Sequence, residues 1–141
     1  MDHAARYRDR GGLVVTVDDS EALLLYDDAL DAYAEGRSCV PLLEQCLDRV
    51  PLFALARAFE ALVTGRPPRW PGWPPATAGL TRRERQHLEI VADVIVGNVD
   101  RAGGLAREHL AEFPNDRLIA AAFPQAQQSG ESAPRQRDRS E

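Results

Sequence analysis

Apolar residues recur at three- and four-residue spacings along most of the chain, in segments separated by glycine and proline. The first such segment ends at Gly36, and a second amphipathic segment follows it and closes at Pro51. The same order returns in residues 88–114, where Gly97 separates two periodic segments. A glycine directly after the last periodic residue is the usual end of a helix. The pattern therefore predicts two helical hairpins.

Local capping signals set the predicted starts of the first two helices. The first helix begins at Asp18, Asp19 or Ser20, because each of these side chains can accept a hydrogen bond from a free amide of the first turn. The second helix begins near Ser38, with Pro41 in its first turn, where the missing N–H group removes no helical hydrogen bond.

Four further helices are predicted in the rest of the chain. The third spans residues 52–64. The fourth opens with a capping box formed by Thr81 and Glu84. The fifth spans residues 99–112, and a short sixth helix spans residues 116–123. Hairpins repeated in this way are typical of tetratricopeptide-like folds, which stack and present surfaces.

The apolar stripes of these helices define the expected core. Its main members are Tyr26, Leu30, Leu47, Phe59, Leu88, Val91 and Leu110, and the same stripes place Leu52, Val96 and Val99 facing inward. Gly103 and Gly104 lie inside the fifth helix, at a cost of about 1 kcal/mol each relative to alanine. We expect a close crossing of another helix to explain them.

The remaining segments lack helical periodicity. Residues 1–17 are predicted to be a mobile arm that ends in a β-branched, extended lead-in, for which the sequence offers no partner strand. Residues 66–79 hold five prolines and two tryptophans and predict a stiff extended loop. Residues 124–141 predict a disordered tail. The chain is thus expected to hold one all-α domain, residues 18–123, a right-handed α-solenoid fragment of five or six helices.

Composition excludes several classes of function. The chain has 141 residues and a net charge of −5, so it lacks the basic footprint of a nucleic-acid-binding protein. No apolar run approaches the roughly 20 residues of a transmembrane helix. The first twelve residues contain no apolar core of signal-peptide length, which favours a cytoplasmic protein.

Two patterns resemble reactive or metal-binding sites. Cys39 and Cys46 are seven residues apart on one helical face, which favours two buried apolar side chains over a reactive thiol. Glu84 and His87 have the spacing found in di-iron bundles, but such a site needs a second pair, and His109 and its glutamate neighbours have the wrong spacing. We expect a capping glutamate, a surface histidine, and neither metal nor cofactor.

Charged residues form two local groups. Asp27, Asp31 and Glu35 recur every four residues opposite the apolar stripe, as on a solvated helix face; the alternative is acid–base chemistry. A basic group surrounds the start of the fourth helix: Arg66, Arg69, Arg82, Arg83 and Arg85. Its positive charge opposes the helix dipole, so it is a candidate surface for an acidic partner or phosphate, although a solvated helix start also explains it.

Trp70 and Trp73 lie among the prolines of the predicted loop. Such rings either fold back onto the domain's own core or form a stiff contact surface for a partner or ligand. We expect Trp73 to pack inward and Trp70 to stay exposed beside Arg69. The candidate partner-binding residues are therefore Arg69, Trp70, Trp73, Arg82 and Arg83.

Within residues 13–123, three stretches resemble the bacterial relatives of the tetratricopeptide repeat protein 38 family. They read YDDALDA from Tyr26, LTRRERQH from Leu80, and GNVDRA from Gly97, the last continuing to EFPND from Glu112. The resemblance implies an all-helical tetratricopeptide-like fold and no catalytic residues.

These observations predict a non-catalytic interaction or scaffold module. Two hairpins leave an apolar face uncovered at the open ends of the first and sixth helices, which favours a protein partner or a homodimer. The alternative is a small enzyme or ligand-binding accessory protein of a specialised biosynthetic pathway, with a small-molecule pocket between the hairpins.

Overall fold

The computed structural model describes residues 6–65 and 78–126, which are mostly helical and include a two-stranded sheet. The elements in chain order are β1 (Arg6–Arg8), β2 (Val14–Thr16), α1 (Ser20–Ala34), α2 (Val40–Arg49), α3 (Ala54–Thr64), α4 (Arg82–Ile95), α5 (Val99–Glu112) and α6 (Arg117–Ala122). The prediction of a mainly helical fold is confirmed. None of the helices in this described part is long and apolar enough to span a membrane.

The helix ends follow the local signals of the sequence. The Asp19 side chain accepts hydrogen bonds from two amides of the first turn of α1. Thr81 and Glu84 form the expected capping box of α4. Gly36 and Gly97 follow α1 and α4 with φ of 75° and 90°, a left-handed conformation that glycine adopts without steric strain. These ends were predictable because each depends on residues within one helical turn.

Consecutive helices pack against each other from α1 to α5, and α6 contacts both α5 and α1. Of the seven main members of the expected core, Leu47 is partly buried and the other six are buried. The return of α6 to α1 differs from the expected open ends. Arg117 of α6 forms ion pairs with Asp27 and Asp31 of α1, so a polar contact covers the face that was expected to be apolar.

The first residues described form a strand rather than part of a mobile arm. β1 pairs antiparallel with β2, and Tyr7 lies opposite Val15, which is fully buried. Glu84 of α4 secures the sheet, because its carboxylate accepts hydrogen bonds from the Thr16 amide and hydroxyl, both at 2.7 Å. The lead-in therefore has a partner strand. The sequence did not reveal this strand, because the three residues Arg-Tyr-Arg are too few to show the alternation of polar and apolar side chains that is typical of a strand.

Three apolar residues expected to face inward are exposed. Leu52, Val96 and Val99 have exposed fractions of 74%, 70% and 61%. Leu52 precedes α3, which begins at Ala54, and the buried side chain at this junction is Phe53. All three lie at or beyond a helix end, where a periodicity of 3.6 residues no longer determines which face a side chain occupies.

Both cysteine thiols are buried and free, as predicted. The Cys46 thiol lies 3.3 Å from the Ala22 carbonyl oxygen. Burial, and to a lesser degree the charge of Asp19, raises the pKa of Cys46 to about 12. The thiol therefore stays protonated at neutral pH and is poorly suited to nucleophilic chemistry.

The acidic face of α1 is largely an internal contact surface, which corrects the prediction of a solvated face. Asp27 is buried and lies 3.3 Å from the Arg10 amide nitrogen. Asp31 forms ion pairs with both Arg10 and Arg117, and only Glu35 is exposed. The cations come from residues distant in sequence, so helical periodicity alone could not identify this contact.

Candidate functional site

A buried carboxylate, Asp116, organises the polar interior. It caps α6, and its Oδ2 lies 2.9 Å from Nδ1 of His87 on α4 and 2.7 Å from Nε2 of His109 on α5. Arg83 Nη1 lies 3.5 Å from the same oxygen, and Arg83 Nη2 lies 3.5 Å from Asp9. We call these five residues the Asp116 cluster; each is at most 8% exposed.

The Asp116 cluster joins four elements of the fold. Arg83 also donates a hydrogen bond of 3.2 Å to the carbonyl oxygen of Val14, in β2. The sheet, α4, α5 and the start of α6 are therefore linked through a few charged contacts within the core. Such a network specifies the relative positions of its elements when its members satisfy one another.

The cluster holds Asp116 in its ionised form. Burial alone raises the pKa of this carboxyl, but the neighbouring His87, His109 and Arg83 outweigh burial and hold the pKa well below its usual range. A buried carboxylate needs such partners, because an unpaired charge in the interior is strongly unfavourable.

The two histidines differ in their second ring nitrogen. His87 Nε2 is buried and has no hydrogen-bond partner among the described residues. His109 Nδ1 lies 2.7 Å from Oε1 of Gln86. Each ring nitrogen of His109 therefore faces a side-chain oxygen, Oε1 of Gln86 or Oδ2 of Asp116.

A small polar cleft of about 180 Å³ lies between α4 and α5. Its lining consists of Arg82, Gln86, Glu89, Ile90, Leu105, Glu108, His109 and Glu112. Arg82 and Glu112 form an ion pair of 2.8 Å across its mouth. Glu89 pairs with Arg101 and Glu112 with Arg82, so Glu108 is the lining glutamate that forms no ion pair with a described residue.

A larger open groove of about 500 Å³ follows the outer face of α5. Gly103 and Gly104 line it, and a Cβ atom added to either would meet no atom of another described element within 4 Å. The expected close crossing of another helix at these glycines is therefore wrong for the described part of the chain. Phe123, just after α6, also lines the groove.

Two opposite charges lie along the groove. Asp100 and Arg107 are both exposed, and neither forms an ion pair or side-chain hydrogen bond with a described residue. The exposed Val99 lies beside them. The face of α5 thus combines two glycines, an exposed apolar side chain, and two charged side chains that form no ion pair with a described residue.

The candidate partner-binding residues do not form one described surface. Arg69, Trp70 and Trp73 lie outside the described residues. Arg82 is exposed but pairs with Glu112. Arg83 is 4% exposed and belongs to the Asp116 cluster, which corrects its prediction as a surface residue.

His87 is fully buried, which corrects the prediction of a surface histidine, whereas the capping role of Glu84 is confirmed. The burial had a signal in the sequence, because His87 lies one helical turn before Val91 on the apolar stripe of α4. Among the described residues there is no group of three or more His, Cys, Asp or Glu side chains arranged to hold a metal ion. Glu84 instead binds the sheet.

No protein-family model, curated protein or solved structure matches this chain. The resemblance to the tetratricopeptide repeat protein 38 family stays a prediction.

Proposed function

We propose that this chain is a non-catalytic protein-interaction module built from tetratricopeptide-like hairpins. The observation that carries the proposal is the outer face of α5, where Gly103 and Gly104 are open toward the groove. Glycine inside a helix is unfavourable by about 1 kcal/mol relative to alanine. No contact within the described fold requires it here, so contact with another molecule provides the reason for two adjacent glycines.

The state of the titratable groups supports a non-catalytic role. His87, His109 and Asp116 are each at most 2% exposed, and both histidines pair with Asp116. A general acid or base must come within hydrogen-bond distance of its substrate. Burial and mutual pairing suit these side chains to holding helices together.

The packing of the helices supports α5 as the proposed contact face. Since α6 contacts α1 through Arg117, the ends of the helical array are joined by ion pairs. The exposed Val99 and the groove beside it remain as an accessible contact surface.

Photo-cross-linking tests this function. A photoreactive amino acid at Val99, which is 61% exposed, is expected to form a covalent adduct with one defined protein, either this chain or another identified by mass spectrometry. The same group at Leu24, which is 48% exposed on α1, is the matched control and should give no adduct. Equal labelling at both positions, or none at Val99, would contradict an interaction at α5.

A second candidate function is a small ligand-binding accessory protein or enzyme, and the cleft between α4 and α5 favours it. Buried His109 reaches this cleft, and Glu108 in its lining suits an organic cation. Small primary amines should then raise the melting temperature of the protein, and Glu108→Gln should reduce the effect. If amines raise the melting temperature of Glu108→Gln by the same amount, they bind outside the cleft and this candidate function is wrong.

A further inference from the structure

We propose that the partner on the α5 groove is a second copy of this chain, bound through the same face so that two α5 helices cross antiparallel at Gly103 and Gly104. The inference rests on the proposed function and names the partner.

The charges on α5 are symmetric about the glycine pair. Asp100 precedes Gly103 by three residues, and Arg107 follows Gly104 by three residues. Residues seven apart lie two helical turns apart on nearly the same line along the helix, a separation of roughly 10 Å. Asp100 and Arg107 therefore lie at the two ends of one face, with the glycines between them.

This arrangement is self-complementary. In a two-fold dimer the same surface of each copy is in contact. A residue on one side of the two-fold axis therefore lies opposite the second copy's residue that is equally far from the axis on the other side. An antiparallel crossing centred between the glycines places Asp100 opposite the second copy's Arg107, and Arg107 opposite the second copy's Asp100. Both charges lack an ionic partner among the described residues, and the dimer supplies one for each.

The glycines suit a helix crossing. Without a Cβ atom, glycine lets two backbones approach closely. Neither Gly103 nor Gly104 has positive φ, so no conformational requirement explains them. With no atom of another described element within 4 Å of an added Cβ, the space in front of them is available to a second helix.

The chain's own C-terminal residues are a poorer occupant of the groove. Residues 127–141 read QQSGESAPRQRDRSE and contain no large apolar side chain. The groove offers Val99 and Phe123 as apolar contacts, which favour another apolar surface. A second copy provides these same two side chains in return.

One helix crossing with two ion pairs buries little area, so the dimer is expected to be weak, with a dissociation constant in the micromolar range. Its ion pairs lie at the edge of the contact, where salt screens them. Added salt should therefore increase the dissociation constant.

Charge exchange in the 141-residue chain, followed by sedimentation equilibrium, tests the proposed dimer. Asp100→Arg and Arg107→Asp each replace both ion pairs of the dimer with pairs of like charge. Each should therefore raise the dissociation constant by at least about tenfold. The double variant D100R/R107D restores opposite charges and should dimerise again. An equimolar mixture of the two single variants should form a heterodimer. Glu44→Arg, an exposed position on α2 with the same change of charge, is the matched control and should leave the dimer intact.

Gly104→Ala separates dimerisation from folding. Alanine fits the open space and favours the helix, so the melting temperature of dilute protein should rise by a few degrees. The added methyl group should at the same time weaken the dimer. A destabilised Gly104→Ala monomer would instead show that the glycine serves the chain's own fold and would overturn the proposed crossing.

The outcomes distinguish this inference from the proposed function. A dimer that is unaffected by the charge reversals, or an exchange variant that fails to recover dimerisation, would overturn the α5 crossing while leaving an interaction module in place. If the chain is a monomer at all concentrations but forms a Val99 adduct with a different protein, the α5 crossing is overturned and the interaction module is retained. A monomer that forms no Val99 adduct would overturn both. Recovery in D100R/R107D and in the mixed single variants is the result expected.

Discussion

Asp116→Ala should destabilise the protein by about 3–5 kcal/mol, the usual effect of removing one member of a buried ion pair. The substitution leaves Arg83, His87 and His109 buried without their shared carboxylate, and it removes the cap of α6. Urea unfolding followed by circular dichroism measures the loss. If Asp116→Ala lowers the unfolding free energy by less than 1 kcal/mol, the buried network does not hold these helices together.

Glu112→Ala is the matched control for this measurement. It also removes a carboxylate from an ion pair, but Arg82 and Glu112 have side chains 63% and 41% exposed. Exposed pairs of this kind contribute about 0–1 kcal/mol. The contrast between the two variants therefore measures the effect of burial rather than of lost charge.

The stability that Asp116 provides should also depend on pH. Its pKa is lowered in the folded protein, so its contribution is fully present above the pKa of an unfolded aspartate, about 3.9. The contribution is lost as the pH falls below that value toward the folded pKa. The difference in unfolding free energy between the wild type and Asp116→Asn should therefore shrink below about pH 4. A difference that stays constant down to pH 2 would contradict the lowered pKa.

Phe59→Ala should cost about 3–5 kcal/mol, as for other fully buried aromatic side chains. Phe59 has no exposed surface and lies edge-on to Tyr26 and Tyr33 of α1, with ring centroids 6.0 and 5.5 Å apart. The substitution leaves a cavity where α3 meets α1, and chemical unfolding measures its effect.

Leu52→Ala provides the comparison for Phe59→Ala. Leu52 was expected to pack inward beside Phe59, but it is 74% exposed. Its substitution should change the unfolding free energy by no more than about 0.5 kcal/mol. A large loss at Leu52 would show that this side chain is covered, contrary to the fold described.

Local sequence signals predicted the helices well. The Asp19 cap, the capping box of Thr81 and Glu84, and the glycines after α1 and α4 are all present where expected. Leu30 and Val91 are buried as their spacing predicted. These features depend on contacts within one or two helical turns, and such contacts can be identified in a single segment of sequence.

The candidate site was only partly predictable. Arg83 and His87 were assigned to the surface because charged and polar residues usually lie there. Asp116, which binds both, is separated from His87 by 29 positions along the chain. Burial of a charged side chain depends on a partner brought near by folding, and the sequence pattern of α4 alone contains no information about that partner.

The sequence by itself determined the mainly helical character of the protein, the principal helix ends and most of the apolar core, because these follow from periodicity and capping within short segments. Only the tertiary structure decided that β1 pairs with β2, that α6 returns to α1, and that no other described element packs on Gly103 and Gly104. Each of these features depends on how segments distant in sequence are arranged. A helix face on which no other described element packs is, like a buried ion pair, a result of that arrangement. Neither can be identified from one segment of sequence alone.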